Sequence, residues 1–481
     1  MTEARSGEVA VVLAVDIGTT SVKAACYAED GAPIGSTANV RHRGARSDGM
    51  IDPSAVLRST LDALALLDLG GVQCVAISTM WQSLVRVSPF QKAPPTAVTW
   101  ETAHPDDRIA AAAIAIEGVW DACDSGAKIH PSYPLLMAAA EGGGRDRLVD
   151  IGGWVVEQLT GSRAGWSEAI AAGSGMWSAE GRAWSSAVDA GDLRTGLLAG
   201  GMFTSALIAS DLHPEVSSDL REASWLPTLP DGLCHNLGVG AVDSTIAITV
   251  GTSGSVRAVS DCRGRAWPSG FWRARCSRSV CASGGAISSA GNTLEWAEQF
   301  SGEAIDWTSF DSAAPILPGP VAVPDVFGRR GPDYPWHATG TISGLGPMHT
   351  AADVAAAFGL DVWAPFAESF DALRSVMDPS TVHVGGGLIE RYPIAAQLLC
   401  DAIDWPIEVS SVPNPSLRGA AIYGLEFLAS DRRSASLDRV VTCLRRGEFA
   451  PRGSGALVEP RSAWTRALRR RWGFENLSVR C

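Results

Sequence analysis

Val11-Val12-Leu13-Ala14-Val15-Asp16-Ile17-Gly18-Thr19-Thr20-Ser21-Val22-Lys23 is the stretch on which the reading of this chain turns. Its five leading apolar residues predict a buried strand. Asp16 stands at the strand's end, Gly18-Thr19-Thr20 predicts a turn, and apolar residues then resume as a second strand. Gly18 lets backbone approach a ligand closely, and Thr19 and Thr20 offer hydroxyls and amide N–H groups suited to phosphate oxygens. Asp16 is placed to hold Mg2+ directly or through water. Lys23 could neutralise a transferring phosphate, or its side chain could point to solvent. Taken alone, the stretch also fits an ordinary hairpin turn.

The device recurs. Ile246-Ala247-Ile248-Thr249-Val250-Gly251-Thr252-Ser253-Gly254-Ser255-Val256-Arg257 again predicts strand, Gly-Thr-Ser turn and strand. A separation of about 230 residues is too long for a solenoid repeat and suits two similar domains. With this pair of turns the chain resembles the FGGY-type carbohydrate kinases, the gluconate and xylulose kinases being nearest in pattern. The resemblance implies an α/β fold of two actin-like (ribonuclease H-like) domains flanking a nucleotide and sugar cleft. Residues 1–240 would be the sugar-binding and catalytic domain and residues 241–481 the nucleotide-binding one. It further implies ATP and Mg2+ as cofactors and a small carbohydrate as substrate. Homodimers are common in that family.

Composition sets bounds of its own. The 481 residues are 46% hydrophobic and 19% charged, enough for two or three domains with substantial cores. A net charge of −13 disfavours nonspecific binding to nucleic acid or anionic membranes. No stretch approaches the roughly 18 apolar residues of a membrane span, and the short N-terminal apolar run ends in Asp16, so a cytoplasmic protein is expected. The ten cysteines form no C-x-x-C pair, and Cys276 and Cys281 read as free thiols. The basic run Arg466 to Arg471 reads as the solvated face of a C-terminal helix.

Val72 to Ile77 predicts a strand, followed directly by Ser78-Thr79-Met80-Trp81-Gln82-Ser83, where a ligand crevice commonly lies. The resemblance places Gln82, Ser83 and Trp100 against the sugar. Gln82 stands where the family has histidine, Thr102 where it has aspartate, and His104 where it often has arginine. His130 could donate into the pocket, although a lone histidine before a proline turn is more often a structural residue. The lysine that the gluconate-kinase pattern leads one to expect falls on Met137. Arg329 replaces the glutamate of a G-E-R-x-P loop, and the stretch Ala356 to Gly359 lacks the family's acid.

Asp231-Gly232-Leu233-Cys234-His235-Asn236-Leu237-Gly238-Val239-Gly240 reads locally as a helix capped by an aspartate. It also resembles the family's catalytic-base motif, which makes Asp231 the expected general base, ahead of Asp243 and His235. The resemblance adds Gly291, Gly386 and Gly387 to the nucleotide contacts. Small residues on the Asp231 helix and on a helix opened by Arg418-Gly419-Ala420-Ala421 would let helices approach closely. Beside a kinase, the departures at Gln82, Thr102, His104 and Arg329 leave open a nucleotide-binding homologue that acts as a regulator.

Overall fold

The computed structural model describes residues 11–44, 50–88, 95–100, 107–120, 127, 129–142, 144, 146–178, 181–261, 271–275, 280–311, 319–330, 338–432 and 445–449. They fall into two units, one drawn from 1–240, 273–281 and 413–442, the other from 241–272, 282–412 and 443–481.

The first unit is organised by strand Val12–Ile17. It pairs antiparallel with Ser21–Tyr27, which pairs with Pro33–Arg41, and on its other side it runs parallel to Cys74–Thr79. Two short strands, Ser224–Trp225 and Leu229–Pro230, extend the sheet beyond Cys74–Thr79. Because side chains alternate along a strand, Leu13, Val15 and Ile17 face one way and Val12, Ala14 and Asp16 the other. The odd set joins a core with Val56 and Leu61 of helix Pro53–Leu64 and with Val155 and Val156 of helix Ile151–Thr160. Asp52 caps the first of these helices and Asp150 the second, each accepting a backbone N–H.

The even set lies under helix Pro415–Arg432. That helix crosses helix Asp231–Val239 with almost no space between backbones. A Cβ on Gly419 would stand 1.8 Å from the Cys234 carbonyl oxygen, and one on Gly238 would stand 1.9 Å from that of Pro415. Gly424 continues the contact onto Val12 and Cys74. Arg418 fastens the crossing by donating from its guanidinium to Gly238 O, 2.5 Å. Neither backbone can yield without losing the crossing, so Gly419→Ala should destabilise the chain by about 2–3 kcal/mol. Urea unfolding followed by tryptophan fluorescence would measure this; a midpoint equal to wild type would show that the crossing is soft.

The second unit repeats the plan. Strand Thr245–Val250 pairs antiparallel with Gly254–Asp261 and parallel with Thr381–Gly385, which pairs parallel with Ile407–Ser410. Val280–Ile287 follows Gly254–Asp261 in the sheet order. Ile246, Ile248 and Val250 point into a core with Trp363, Phe366 and Phe370 of the segment around helix Ala364–Arg374. The tail beyond about Ser430 reads from its sequence as helical in places; within it residues Arg445–Phe449 form a strand antiparallel to Ile407–Ser410. The basic run Arg466 to Arg471 lies outside the described residues. Cys281 is disulfide-bonded rather than free, and Cys276 lies outside the described residues. No helix among the described residues is long and apolar enough to cross a membrane.

Candidate active site

Register brings the first group of candidates together. Asp16 is the cross-strand partner of Lys23 on one side and of Ser78 on the other, and directly opposed residues share a face. Ser78 is fully buried and donates its hydroxyl to Asp16 Oδ1, 2.7 Å. Ser78 in turn pairs with Leu229, two residues before Asp231. Three parallel strands therefore deliver Asp16, Ser78 and Asp231 to one edge by their carboxyl ends, where α/β sheets characteristically bind ligands.

Burial pushes the Asp16 carboxyl up to about 6; the Ser78 hydrogen bond and the Lys23 charge oppose the shift, and the Asp231 carboxylate reinforces it. The two acids thus sense each other's charge. Asp231 opens its helix as the first helical residue, the cap position being Pro230. This differs from the expectation of an aspartate cap. Its Oδ1 accepts from the adjacent Gly232 N–H, 2.7 Å. Asp243, the competing carboxylate, sits in a turn with φ 58°, as the sequence indicated.

The Gly18 turn spans four residues between the paired ends Ile17 and Val22. Gly18 N–H donates to Ser21 O, 3.0 Å. Among the described residues nothing accepts from the Thr19 or Thr20 amide, so both donors remain for a ligand. A Mg2+ ion is commonly held by one or two carboxylates plus substrate phosphates. Asp16 and Asp231 supply that number, and no group of three or more metal-ligating side chains exists among the described residues. The donor set fits Mg2+ brought in with a nucleotide better than a closed protein cage.

The sugar candidates follow the same strand edge. Gln82 is buried and adopts φ 60°, a left-handed conformation uncommon for a residue with a Cβ. Its neighbour Trp81 packs against Gly173, where a Cβ would come within 2.1 Å of the indole, and donates from Nε1 to Ile170 O, 3.2 Å. Ser83 is buried and bonds to Met80 O, 3.4 Å. His130 Nδ1 accepts from Ser132 N–H, 3.1 Å, and lies 2.8 Å from Ser132 Oγ. That bond makes Nδ1 an acceptor and gives the histidine a turn-forming role. Met137 is fully buried in its helix. Trp100 is half-buried, and Thr102 and His104 lie outside the described residues.

In the second unit three glycine signals converge on one turn. Gly251 N–H donates to Ser253 O, 2.9 Å, closing a turn of three residues between Val250 and Gly254. Gly291, at the start of helix Gly291–Ser301, lies so close that a Cβ would stand 2.6 Å from Gly251 O. Gly386, with φ 116°, packs on the Val250 carbonyl, and Gly387 faces open space. Thr252 is exposed at the tip and Ser253 half-exposed beside it. At the position matching Asp16 this unit has Thr249, whose hydroxyl accepts from Arg257, 2.9 Å. Arg329, unexpected in its loop, is buried and bonded to Glu368, 2.5 Å, so an acid from another helix answers the reversed charge.

Ser78 escaped the sequence reading because a serine at a strand end carries no motif, and only the register reveals its partner.

Residues 246–425 match the family model of the C-terminal domain of the FGGY family of carbohydrate kinases. Among solved structures, the fold is similar to gluconate kinase from Lactobacillus acidophilus, at TM-score 0.79 and 16% identity, covering 97% of this chain and 98% of that one. Xylulose kinase from the same organism matches at TM-score 0.79 and 17% identity over 97% and 99%. Plasmodium falciparum glycerol kinase with ADP matches at TM-score 0.76 and 14% identity over 98% and 99%. At such identities the likeness establishes the fold, the two-domain actin-like one. A search of curated protein sequences gave no match.

Proposed function

We propose that this chain, whose residues 246–425 match the C-terminal domain of the FGGY family of carbohydrate kinases, is a member of that family and transfers the γ-phosphoryl group of ATP to a hydroxyl of a sugar, sugar acid or polyol. One observation carries the reading: the register that delivers Asp16, Ser78 and Asp231 to one edge beside a turn whose Thr19 and Thr20 amides meet no acceptor among the described residues.

Phosphoryl transfer asks a protein for positioning and charge neutralisation more than for covalent chemistry. Asp231 accepts the proton of the acceptor hydroxyl as that oxygen bonds to phosphorus. Its place at the first helical position sets the carboxylate at the helix start. The Thr19 and Thr20 amides, and in the second unit the Gly251-Thr252-Ser253 turn, hold phosphate oxygens. Lys23, across from Asp16, adds a positive charge on the same face. Asp16 would hold Mg2+, which when bound neutralises charge on the phosphates. Gly386 and Gly387 would border the nucleotide, and Gln82, Ser83 and Trp100 the acceptor, with His130 in support.

The test is ADP release from ATP with Mg2+ across pentuloses, hexoses, aldonic acids, tetritols and other polyols. Stimulation by one class establishes the transfer and names the acceptor. No stimulation by any class, with ADP binding intact, replaces this reading with that of a nucleotide-binding homologue.

A further inference from the structure

Both turns have their carbonyls tied down from behind, but by different means. In the second unit Gly251 O accepts from the Gly291 amide, 3.0 Å, and Thr252 O from the Asn292 amide, 2.9 Å. In the first unit Thr20 O accepts from the His42 amide, 3.0 Å. The glycine carbonyl there, Gly18 O, is held by a side chain: His42 Nε2 lies 2.9 Å from it. A carbonyl can only accept, so Nε2 carries the hydrogen. His42 is buried, and its Nδ1 lies 3.0 Å from Ser59 Oγ of helix Pro53–Leu64. Ser59 Oγ also lies 2.8 Å from Ala55 O, and its single hydrogen goes either there or to Nδ1; the ring is neutral when it goes to Nδ1, the form that burial favours, while Nε2 donates to Gly18 O in both cases.

The consequence follows from the planarity of the peptide bond. In a trans peptide the C=O of residue 18 and the N–H of residue 19 point in opposite directions. Holding Gly18 O towards His42 therefore aims the unpartnered Thr19 N–H away from it, out of the turn. We propose that His42 is a positioning residue for the phosphate-holding turn of the first unit, acting through Nε2 on Gly18 O to fix the direction of the Thr19 amide. In the second unit the backbone amide of Gly291 performs the same task. The proposal rests on the reading of the Gly18 turn as a nucleotide site.

Two substitutions separate the imidazole's two bonds. His42→Gln can place an amide N–H near the Nε2 position, whereas His42→Asn reaches only as far as Nδ1. ADP binding in the presence of Mg2+, measured calorimetrically on the full chain, should weaken roughly 3–10-fold in His42→Asn and recover to within about twofold of wild type in His42→Gln. Thermal unfolding of both variants accompanies the titration. Equal ADP affinity in wild type and His42→Asn overturns the proposal. So does equal weakening in both variants, which would assign His42 to packing alone. If wild type binds no ADP, the nucleotide reading itself falls and takes this proposal with it, an outcome distinct from the other two.

Discussion

Asp231→Asn should lower turnover by about a thousandfold or more while leaving ADP affinity within about twofold of wild type. The substitution keeps the shape of the side chain and can still pair with the Gly232 amide by its oxygen, but an amide cannot take the proton of an acceptor hydroxyl. The helix start keeps its place because the Gly419 and Gly238 crossings, which involve backbone only, fix the helix independently of residue 231. Single-turnover phosphorylation of the acceptor named by the panel, together with calorimetric ADP binding, gives both readouts. Turnover near wild type would remove Asp231 as general base. Loss of ADP binding in step with turnover would instead make it part of the nucleotide site.

Asp16→Asn should give two opposite results in one protein. Mg2+-dependent kcat/KM should fall on the order of a hundredfold, as expected when a preorganised charge-stabilising group is lost. Stability without metal should rise. Burial lifts the Asp16 carboxyl from 3.8 to about 6, so between those values the folded chain binds a proton that the unfolded chain has released. Stability from this group is then present in full below about pH 4 and is lost as pH rises to about 6. Above pH 6 the ionised, buried carboxylate costs up to about 3 kcal/mol. The asparagine side chain never ionises, so the metal-free variant should exceed wild type by up to that amount at pH 7.5 and match it near pH 4. Urea unfolding at both pH values in chelator checks this. A difference that is independent of pH would show that Asp16 is not held as a costly charge awaiting a cation.

The parts of the fold that local pattern controls were legible in the sequence. The strand, turn and strand around Gly18 and Gly251 and the buried strand leading to Ser78 all follow from apolar runs and glycine placement. The reading lost sight of the chain where long-range pairing decides. Ser78 becomes an Asp16 partner only through the register of parallel strands 62 residues apart in sequence. His42 lies 24 residues from Gly18, just past an exposed edge strand, where a histidine carries no signal. The strand at Arg445–Phe449 has two arginines and a glutamate among five residues, a composition that reads as a solvated helix until the edge at Ile407–Ser410 recruits it. The reversed charge at Arg329 read as a lost acid because its partner, Glu368, lies on another helix. The aspartate cap expected at Asp231 differs by one residue, because Pro230 supplies the extended backbone the cap position needs.

The helix Pro415–Arg432 covers the sheet face that carries Val12, Ala14 and Asp16, yet it is made of residues that leave the ribosome after most of the second unit. Until it arrives, the nascent first unit presents an apolar sheet face with nothing over it, and the Asp231 helix lacks the glycine-lined neighbour that fixes its course. The candidate general base therefore gains its final support only after residues 241–412 have been made, and a chain stopped at Gly240 contains every residue of the Asp16–Ser78–Asp231 edge without the element that holds Asp231 in place.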